Sequence, residues 1–463
     1  MGVPSTIAET AAALRDGSLT SVALTRDFFE RADRLDPLLG VFLARFDARA
    51  LEAADAADAE LARGVDRGRL QGIPVAVKDV ISTADGPTTA QSLILEHGWH
   101  VRSDAPVVAR LRAAGAVIVG KTTTMEFAIG TPDPEKPFPI PRNPWGPAAW
   151  AGGSSSGSAS GVAARLFLGA LGTDTGGSVR CPAAFCGITG LKPTFGLVPK
   201  SGCIPLGYSL DSVGPLARTA RDCADLLSVI AGFDASDPCS FGAPPFGCAA
   251  SLDGSVEDLR LGIDPNLHLQ RDDADPATAV LFDAAVDALA GMGAEIIELT
   301  IPHHRQLSYA TRVSWPCEAF AYHRSTLQTR WEQYGRPTRI ALTAGALVSG
   351  ADYEQAQRAR RVGREAVRRT LGGVDALLTP TTVRPAPILG AADFDSITES
   401  TLTRPWNAVG FPALSVPMGV NASGFPLGLQ IVTRPLSDAL ALRIGDAYQQ
   451  VTDWHSAVPP PVA

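Results

Sequence analysis

The sequence predicts an α/β protein in which helices cover a buried sheet. Apolar runs of four to eight residues recur along the chain and alternate with helical stretches. This pattern is typical of strands that are buried on both faces. The chain has 463 residues, of which 45% are hydrophobic and 19% are charged, so it is long enough to enclose a large core.

The N-terminal segment, residues 1–65, is predicted to be helical throughout. Thr6 and Glu9 fit a capping box at the start of a first helix. A second helix is expected to stop before Pro37, because proline interrupts the hydrogen bonding of a helix. A third is the alanine-rich stretch that Gly64 closes.

The strands are predicted to follow this helical segment. Turn residues separate the apolar runs from the helical stretches between them. Two of the runs, 259–263 and 294–301, enclose an apolar helical segment and predict one βαβ unit. The predicted strands are residues 73–77, 116–119, 259–263, 294–301, 375–379, 413–420 and 427–432.

Two stretches lack both periodicities. Residues 131–147 contain seven prolines and are predicted to form a loop, and residues 233–258 are the best candidate for a linker. Strand-like runs lie on both sides of this linker, in residues 66–232 and 259–463. We therefore expect one large domain over residues 1–463 instead of two independent ones.

Composition and charge exclude several classes of function. The net charge is −8 with a pI near 5.5, so we expect no nucleic acid or other polyphosphate partner. The seven cysteines form no CxxC pair, which suits reduced thiols better than a disulfide framework or a zinc site. No signal-peptide pattern and no long apolar run is present, which favours a cytoplasmic protein that does not enter the membrane. We expect neither a metal nor any other cofactor.

Two motifs match known active-site patterns but stand in the wrong context. The stretch GAVIVGKT, residues 115–122, matches the phosphate-binding loop, but its four variable residues are themselves a predicted strand and cannot curl around a phosphate. The stretch GSSSG, residues 153–157, matches a nucleophile elbow centred on Ser155. The residues before it are rich in proline instead of strand-like, so a Ser-His-Asp esterase is the weaker enzyme hypothesis.

A second glycine-serine turn, GTDTGGSVR in residues 172–180, lies between an apolar run and a predicted helix. Ser178 at this position has successive backbone N–H groups beside its hydroxyl, as in an oxyanion hole, although helix capping is the alternative role. Lys78 directly follows the run IPVAV. A lysine there usually reaches solvent, but one that is buried among hydroxyls has a lowered pKa and can act as a base.

Together these stretches resemble the amidase signature family. The three core motifs are GIPVAVKD (72–79), AGGSSSGSASG (151–161) and GTDTGGSVRCPAAFCGITGLKPTFG (172–196). The resemblance continues through residues 209–227 and 407–432, so that it covers nearly the whole chain. It implies an α/β/α sandwich around a large mixed sheet and a Ser-cisSer-Lys catalytic set that hydrolyses a C–N bond.

Matched residue by residue, the resemblance assigns roles within this set. Lys78 is implied as the base, Ser154 as the proton relay with a cis peptide bond before it, and Ser178 as the nucleophile that forms an acyl-enzyme. The corresponding oxyanion hole consists of the backbone N–H groups of Thr175, Gly176, Gly177 and Ser178.

Three further residues are expected to support the catalytic set. Ser155 is predicted to form hydrogen bonds within the network, and Asp174 and Arg180 to form a buried pair beside the nucleophile. The sequence departs from the family pattern at Cys181, where an aliphatic residue or glutamine is usual, and at Ser156, where glycine is common. We expect Cys181 to help shape the substrate pocket.

The substrate is left open by the sequence. Family members cleave amides, carbamates (urethanes) and some esters, and their specificity resides in loops. Beside Cys181, the expected pocket walls are Phe138 and Trp145 in the proline-rich loop and Trp315 and Cys317 further along the chain. We expect a small-molecule substrate and a monomer or homodimer. The alternative is the glutaminase subunit of a tRNA-dependent amidotransferase, which works only within a complex and typically has glutamine where this chain has Cys181.

Overall fold

The computed structural model describes residues 5–242, 248–267, 269, 271–390 and 399–460. Eleven strands form one mixed sheet and two more form a small hairpin, which confirms the α/β fold predicted from the sequence. The strands are β1 (Phe42–Arg45), β2 (Pro74–Lys78), β3 (Val117–Thr122), β4 (Arg142–Asn143), β5 (Gly146–Trp150), β6 (Gly169–Asp174), β7 (Thr189–Lys192), β8 (Ser212–Ala217), β9 (Arg260–Ile263), β10 (Glu295–Glu298), β11 (Ala376–Pro380), β12 (Ala413–Val420) and β13 (Pro426–Thr433).

The large sheet combines parallel and antiparallel neighbours. Its order is β1-β3-β2-β6-β8-β7-β12-β13-β11-β9-β10. Strands β3, β2 and β6 are parallel to one another, as are β11, β9 and β10, whereas the pairs between β6 and β11 are antiparallel. The predicted βαβ unit is present as β9 and β10 with a helix between them.

Helices cover both faces of the sheet. Alternate residues of β2 show this, because Val75 and Val77 belong to one apolar cluster and Ala76 to another on the opposite face. The α-helices of the described residues are α1 (Ile7–Asp16), α2 (Ser21–Leu39), α3 (Asp47–Ala62), α4 (Pro106–Ala113), α5 (Ser156–Ala163), α6 (Arg180–Cys186), α7 (Ala220–Ile230), α8 (Pro276–Gly291), α9 (His304–Arg330), α10 (Arg336–Leu347), α11 (Gly350–Thr370), α12 (Arg404–Val409) and α13 (Asp438–Val451).

Helix α5 is built from small residues because it lies directly on the sheet. All of its side chains are buried. A Cβ built on Gly157 would be 2.4 Å from the carbonyl oxygen of Val41, and one on Gly161 would be 2.1 Å from the ring of Phe167. This close packing fixes the turn that precedes the helix, where Ser154 lies.

The N-terminal helices agree with the sequence except at one end. The capping box of Thr6 and Glu9 is present, but the predicted stop before Pro37 is wrong, since α2 continues to Leu39 and ends at Gly40 in the left-handed conformation. Pro37 lies in the last turn of the helix, so the hydrogen bond that it removes is one of the few near the end.

Two irregular segments differ from expectation. Residues 142–150, which include the end of the predicted proline-rich loop, form the β4–β5 hairpin, and the N–H of Trp145 donates to the side chain of Asn143 in its turn. Of the predicted linker, residues 243–247 lie outside the described residues, whereas Leu252 and Val256 are buried in the core. Among the described helices, none has both the length and the apolar character to cross a membrane.

Candidate active site

Two neighbouring strands and two turns bring the predicted catalytic residues together. Lys78 is the last residue of β2, and Asp174 is the last residue of the adjacent parallel strand β6. Because parallel strands end at the same edge of a sheet, both side chains lie at one edge. Ser154 precedes helix α5 and Ser178 precedes helix α6, and both serines line one cleft at this edge.

Lys78 is fully buried and is surrounded by oxygen atoms. Its Nζ lies 2.7 Å from Ser154 Oγ and 2.8 Å from Thr173 Oγ1. Burial lowers the pKa of Lys78 to about 7, although the charges of Asp174 and Asp211 act in the opposite direction. A lysine with this pKa is neutral in a large fraction of molecules near neutral pH and can then accept a proton.

Ser154 and Ser155 occupy different positions in the same turn. The peptide bond between Gly153 and Ser154 is cis, and Ser154 faces the cleft. Ser155 is fully buried, and its Oγ accepts a hydrogen bond from the N–H of Thr173 and donates to the carbonyl of Thr173, both at 3.2 Å. Its N–H donates to the carbonyl of Ser178 at 3.1 Å. Ser155 thus joins the two turns and does not stand at an exposed nucleophile elbow.

Residues 174–178 form the nucleophile turn. The N–H of Gly177 donates to Asp174 Oδ1 at 2.8 Å, so this predicted oxyanion donor already has a partner inside the protein. Within the described part of the chain, the N–H groups of Thr175, Gly176 and Ser178 have no acceptor. Gly177 has φ of 132°, a conformation that a residue with a side chain rarely adopts.

Asp174 and Arg180 form a buried pair beneath this turn. Two nitrogens of the Arg180 guanidinium donate to the two carboxylate oxygens of Asp174, at 2.9 and 3.0 Å, and neither side chain is exposed. Arg180 also donates to the side chains of Asn407 and Gln430, at 2.6 and 2.8 Å. The Arg180 guanidinium holds the pKa of Asp174 well below its usual range, against the effect of burial. The pair is a scaffold for the turn, and residues from the C-terminal part of the chain complete it.

The cleft above these groups is mainly apolar. It has a volume of about 660 Å³ when its open mouth is included, a size typical of small-molecule sites. Cys181 and Trp315, both predicted as pocket residues, line it. The sequence analysis did not identify the other apolar walls, which are Ile129, Trp150, Phe185 and Leu206.

Three predicted pocket residues are not brought to the cleft. Trp145 turns away from it, and its indole Nε1 donates to the carbonyl of Cys186 at 2.9 Å. Phe138 does not line the cleft and lies half-buried in the proline-rich loop. Cys317 follows Trp315 by two positions on helix α9, and residues two apart on a helix lie about 200° apart around it, so the two cannot face the same side.

The phosphate-loop match is a strand, as its sequence context predicts. Residues 117–122 belong to β3, and Lys121 is fully buried. Its Nζ donates to the carbonyl of Ile81 at 2.7 Å and pairs with the carboxylate of Asp79 at 3.0 Å. The lysine is therefore occupied by protein groups next to the Lys78 strand end.

Comparison with known proteins agrees with this geometry. A family model described as Amidase matches residues 23–442. The chain is 40% identical to the amidase-like subunit of the Glutamyl-tRNA(Gln) amidotransferase of Roseiflexus sp. strain RS-1, over 98% of each chain. It is 38% identical to the amidase AmiD of Mycobacterium bovis, over 98% of this chain and 95% of AmiD. The peptide amidase structure from Stenotrophomonas maltophilia superposes with a TM-score of 0.85 and 31% identity, over 98% of each chain. Since the family model and these relatives match along nearly the whole length, the chain belongs to the amidase family.

Proposed function

We propose that the chain hydrolyses the C–N bond of an amide through an acyl-enzyme on Ser178. The observation that carries this proposal is the environment of Lys78, a fully buried lysine with a pKa of about 7 whose Nζ lies 2.7 Å from Ser154 Oγ. Ser154 and Ser178 line the same cleft. A neutral amine, a relay hydroxyl and a nucleophilic hydroxyl are the groups that serine-based acyl transfer needs without a histidine.

The proposed reaction begins with two proton transfers. Neutral Lys78 takes the proton of Ser154, Ser154 takes the proton of Ser178, and Ser178 Oγ attacks the carbonyl carbon. Ser154 then returns a proton to the leaving nitrogen as the C–N bond breaks. Water attacks the acyl-enzyme by the reverse use of the same groups, which releases the acid and restores Ser178.

The tetrahedral oxyanion is proposed to be bound by backbone N–H groups of the nucleophile turn. Three of the four predicted donors, those of Thr175, Gly176 and Ser178, have no acceptor among the described residues and are available to a ligand. The fourth, that of Gly177, donates to Asp174 and so holds the turn in shape. Removal of one such donor typically costs on the order of 10²- to 10³-fold in kcat.

The substrate is proposed to be a small-molecule amide with an apolar substituent. The aromatic walls Trp150, Phe185 and Trp315 support this class, because they bury apolar surface close to the nucleophile turn. A carbamate (urethane) or an ester offers the same carbonyl to Ser178 and is an outcome for the assay to decide. All seven cysteines are free, which supports action in the reducing cytoplasm.

Labelling with a serine-directed phosphonofluoridate tests the nucleophile. We expect the reagent to modify Ser178 and abolish hydrolysis, and Ser178→Ala to be neither labelled nor active. Ser228→Ala is the control, because the hydroxyl of Ser228 donates only to the carbonyl of Ala224 in its own helix. Labelling of Ser155, together with an active Ser178→Ala variant, would instead revive the esterase hypothesis.

A second candidate function is the release of ammonia from glutamine within an amidotransferase complex. The similarity to the Roseiflexus amidotransferase protein over 98% of the chain favours it, whereas Cys181 in place of glutamine favours independent hydrolysis. A panel of aryl amides, carbamates, esters and glutamine, given to the isolated chain, separates the two. Steady hydrolysis of an aryl amide supports the first proposal, and activity on glutamine that needs added partner subunits supports the second.

A further inference from the structure

The loop of residues 206–211, which we call the anchor loop, packs against the nucleophile turn. A Cβ built on Gly207 would be 2.9 Å from Thr175 Cγ2 and 3.0 Å from Trp315 Cβ, so only glycine fits without displacement. Leu206 of the same loop lines the cleft. The anchor loop therefore touches both the turn and the wall of the cleft.

Asp211 fastens the anchor loop to the turn. Its carboxylate accepts hydrogen bonds from Thr175 Oγ1 at 2.5 Å, from the N–H of Leu206 at 2.9 Å and from the N–H of Gly207 at 3.0 Å. Thr175 carries one of the three N–H groups proposed for the oxyanion hole. The hydroxyl of Thr175 is thus held by a side chain outside the turn itself.

Two long helices support the anchor loop from the other side. The N–H and Oγ of Ser209 donate to the carboxylate of Glu318 on α9, at 2.9 and 2.6 Å. The guanidinium of Arg360 on α11 donates to Ser209 Oγ at 2.7 Å and to its carbonyl at 2.8 Å. Asp211 therefore connects Thr175 to a braced segment.

Asp211 also lies near the Lys78 pocket. It lines a second cavity together with Thr173, whose hydroxyl is 2.8 Å from Lys78 Nζ. We propose that Asp211 is a positioning residue, which fixes Thr175 at the proposed oxyanion hole and places a negative charge near the proposed base. The inference rests on the proposed function, since it requires Lys78 as the base and the Thr175 N–H as an oxyanion donor.

The sign of the electrostatic effect follows from the groups around Lys78. Asp174, Asp211 and Cys203 each raise the pKa of Lys78, while burial lowers it. Asp211 itself faces Lys200, whose charge lowers the pKa of that carboxyl, whereas burial raises it. Removal of the Asp211 charge therefore lowers the pKa of Lys78 further, and the acid limb of kcat/KM moves to lower pH.

The experiment compares Asp211→Asn with Thr175→Val, their double variant and Thr175→Ser, by kcat, KM and pH profile on one aryl amide. We expect Asp211→Asn to lower kcat on the order of tenfold to a hundredfold with a small change in KM, because the turn is displaced. Its acid limb should move to lower pH. Thr175→Val should lower kcat with no shift of the limb, and Thr175→Ser should restore most of the rate.

The double variant tests whether the two residues act through one bond. Its loss should be clearly smaller than the product of the two single losses. Asp237→Asn is the matched control, because Asp237 lines the same second cavity but bonds to the N–H groups of Lys200 and Cys239, and its kinetics should match the wild type.

A folded Asp211→Asn variant with wild-type kcat and an unmoved acid limb would overturn the inference, and so would independent losses in the double variant. If Asp211→Asn does not fold, the comparison of Thr175→Val with Thr175→Ser still tests the bond from its other partner, and equal kcat in both would overturn it. An active Lys78→Ala variant would instead reject the proposed function, so the two failures are distinguishable.

Discussion

Replacing Lys78 tests the proposed base directly. With a pKa of about 7, half of the Lys78 side chains are neutral at pH 7. A free lysine, with a pKa near 10.4, would be neutral in about one molecule in 2,500 at the same pH. Burial therefore raises the fraction of usable base about a thousandfold.

This value fixes the shape of the pH profile. Because protonated lysine cannot accept the Ser154 proton, kcat/KM should fall about tenfold per pH unit below 7 and should level off above about pH 8. At pH 5 about 1% of the plateau activity should remain. The assay is the initial rate of aryl amide hydrolysis at low substrate concentration between pH 5 and 10.

Two substitutions complete the test. Lys78→Ala should lose about 10²- to 10⁴-fold in kcat/KM, the usual contribution of general acid–base catalysis. Lys78→Arg should be nearly as poor, because a guanidinium does not give up its proton in a protein. A Lys78→Ala variant that is folded by circular dichroism and retains most of its activity would refute the reasoning and favour a histidine base.

Three further predictions concern the scaffold, the cleft and the absence of a cofactor. Asp174→Asn should lower the free energy of unfolding by about 3–5 kcal/mol in a denaturant titration, because it leaves Arg180 buried without its charged partner; a change below about 1 kcal/mol would contradict this. Trp150→Ala should raise KM for an aryl amide more than Phe138→Ala does, since only Trp150 of the two lines the cleft; equal effects would count against this cleft as the substrate site. Dialysis against a chelator should leave kcat/KM unchanged, and a loss that added metal reverses would show that the proposed mechanism is incomplete.

The fold could be predicted where strands are continuous apolar runs, but not where they contain turn residues. Strands β2 and β12 lie within or nearly at the predicted bounds. Strand β8 was not identified, because Gly214 and Pro215 in its centre are typical of loops. Gly214 is required there, since a Cβ on it would be 2.0 Å from the carbonyl oxygen of Leu191 in β7. This contact is between strands and leaves no local pattern in the sequence.

The same distinction holds for the candidate site. Lys78, Ser154 and Ser178 stand in local motifs, and the structure places all three at one edge of the sheet. The cleft walls are different, because whether Trp145 or Trp150 faces the cleft depends on how the β4–β5 hairpin packs. The partners of Arg180 more than two hundred residues away could not be predicted from a motif either.

Those distant partners have a practical consequence. Asn407 and Gln430 hold the guanidinium of Arg180, whereas Lys78, Ser154 and Ser178 all come earlier in the chain. If the polypeptide is divided after the first 242 residues, one piece carries every proposed catalytic side chain and the other carries the groups that secure them. Neither piece alone should turn over substrate, so the enzyme can serve as a complementation reporter in which a chromogenic amide measures the association of any two proteins fused to the halves.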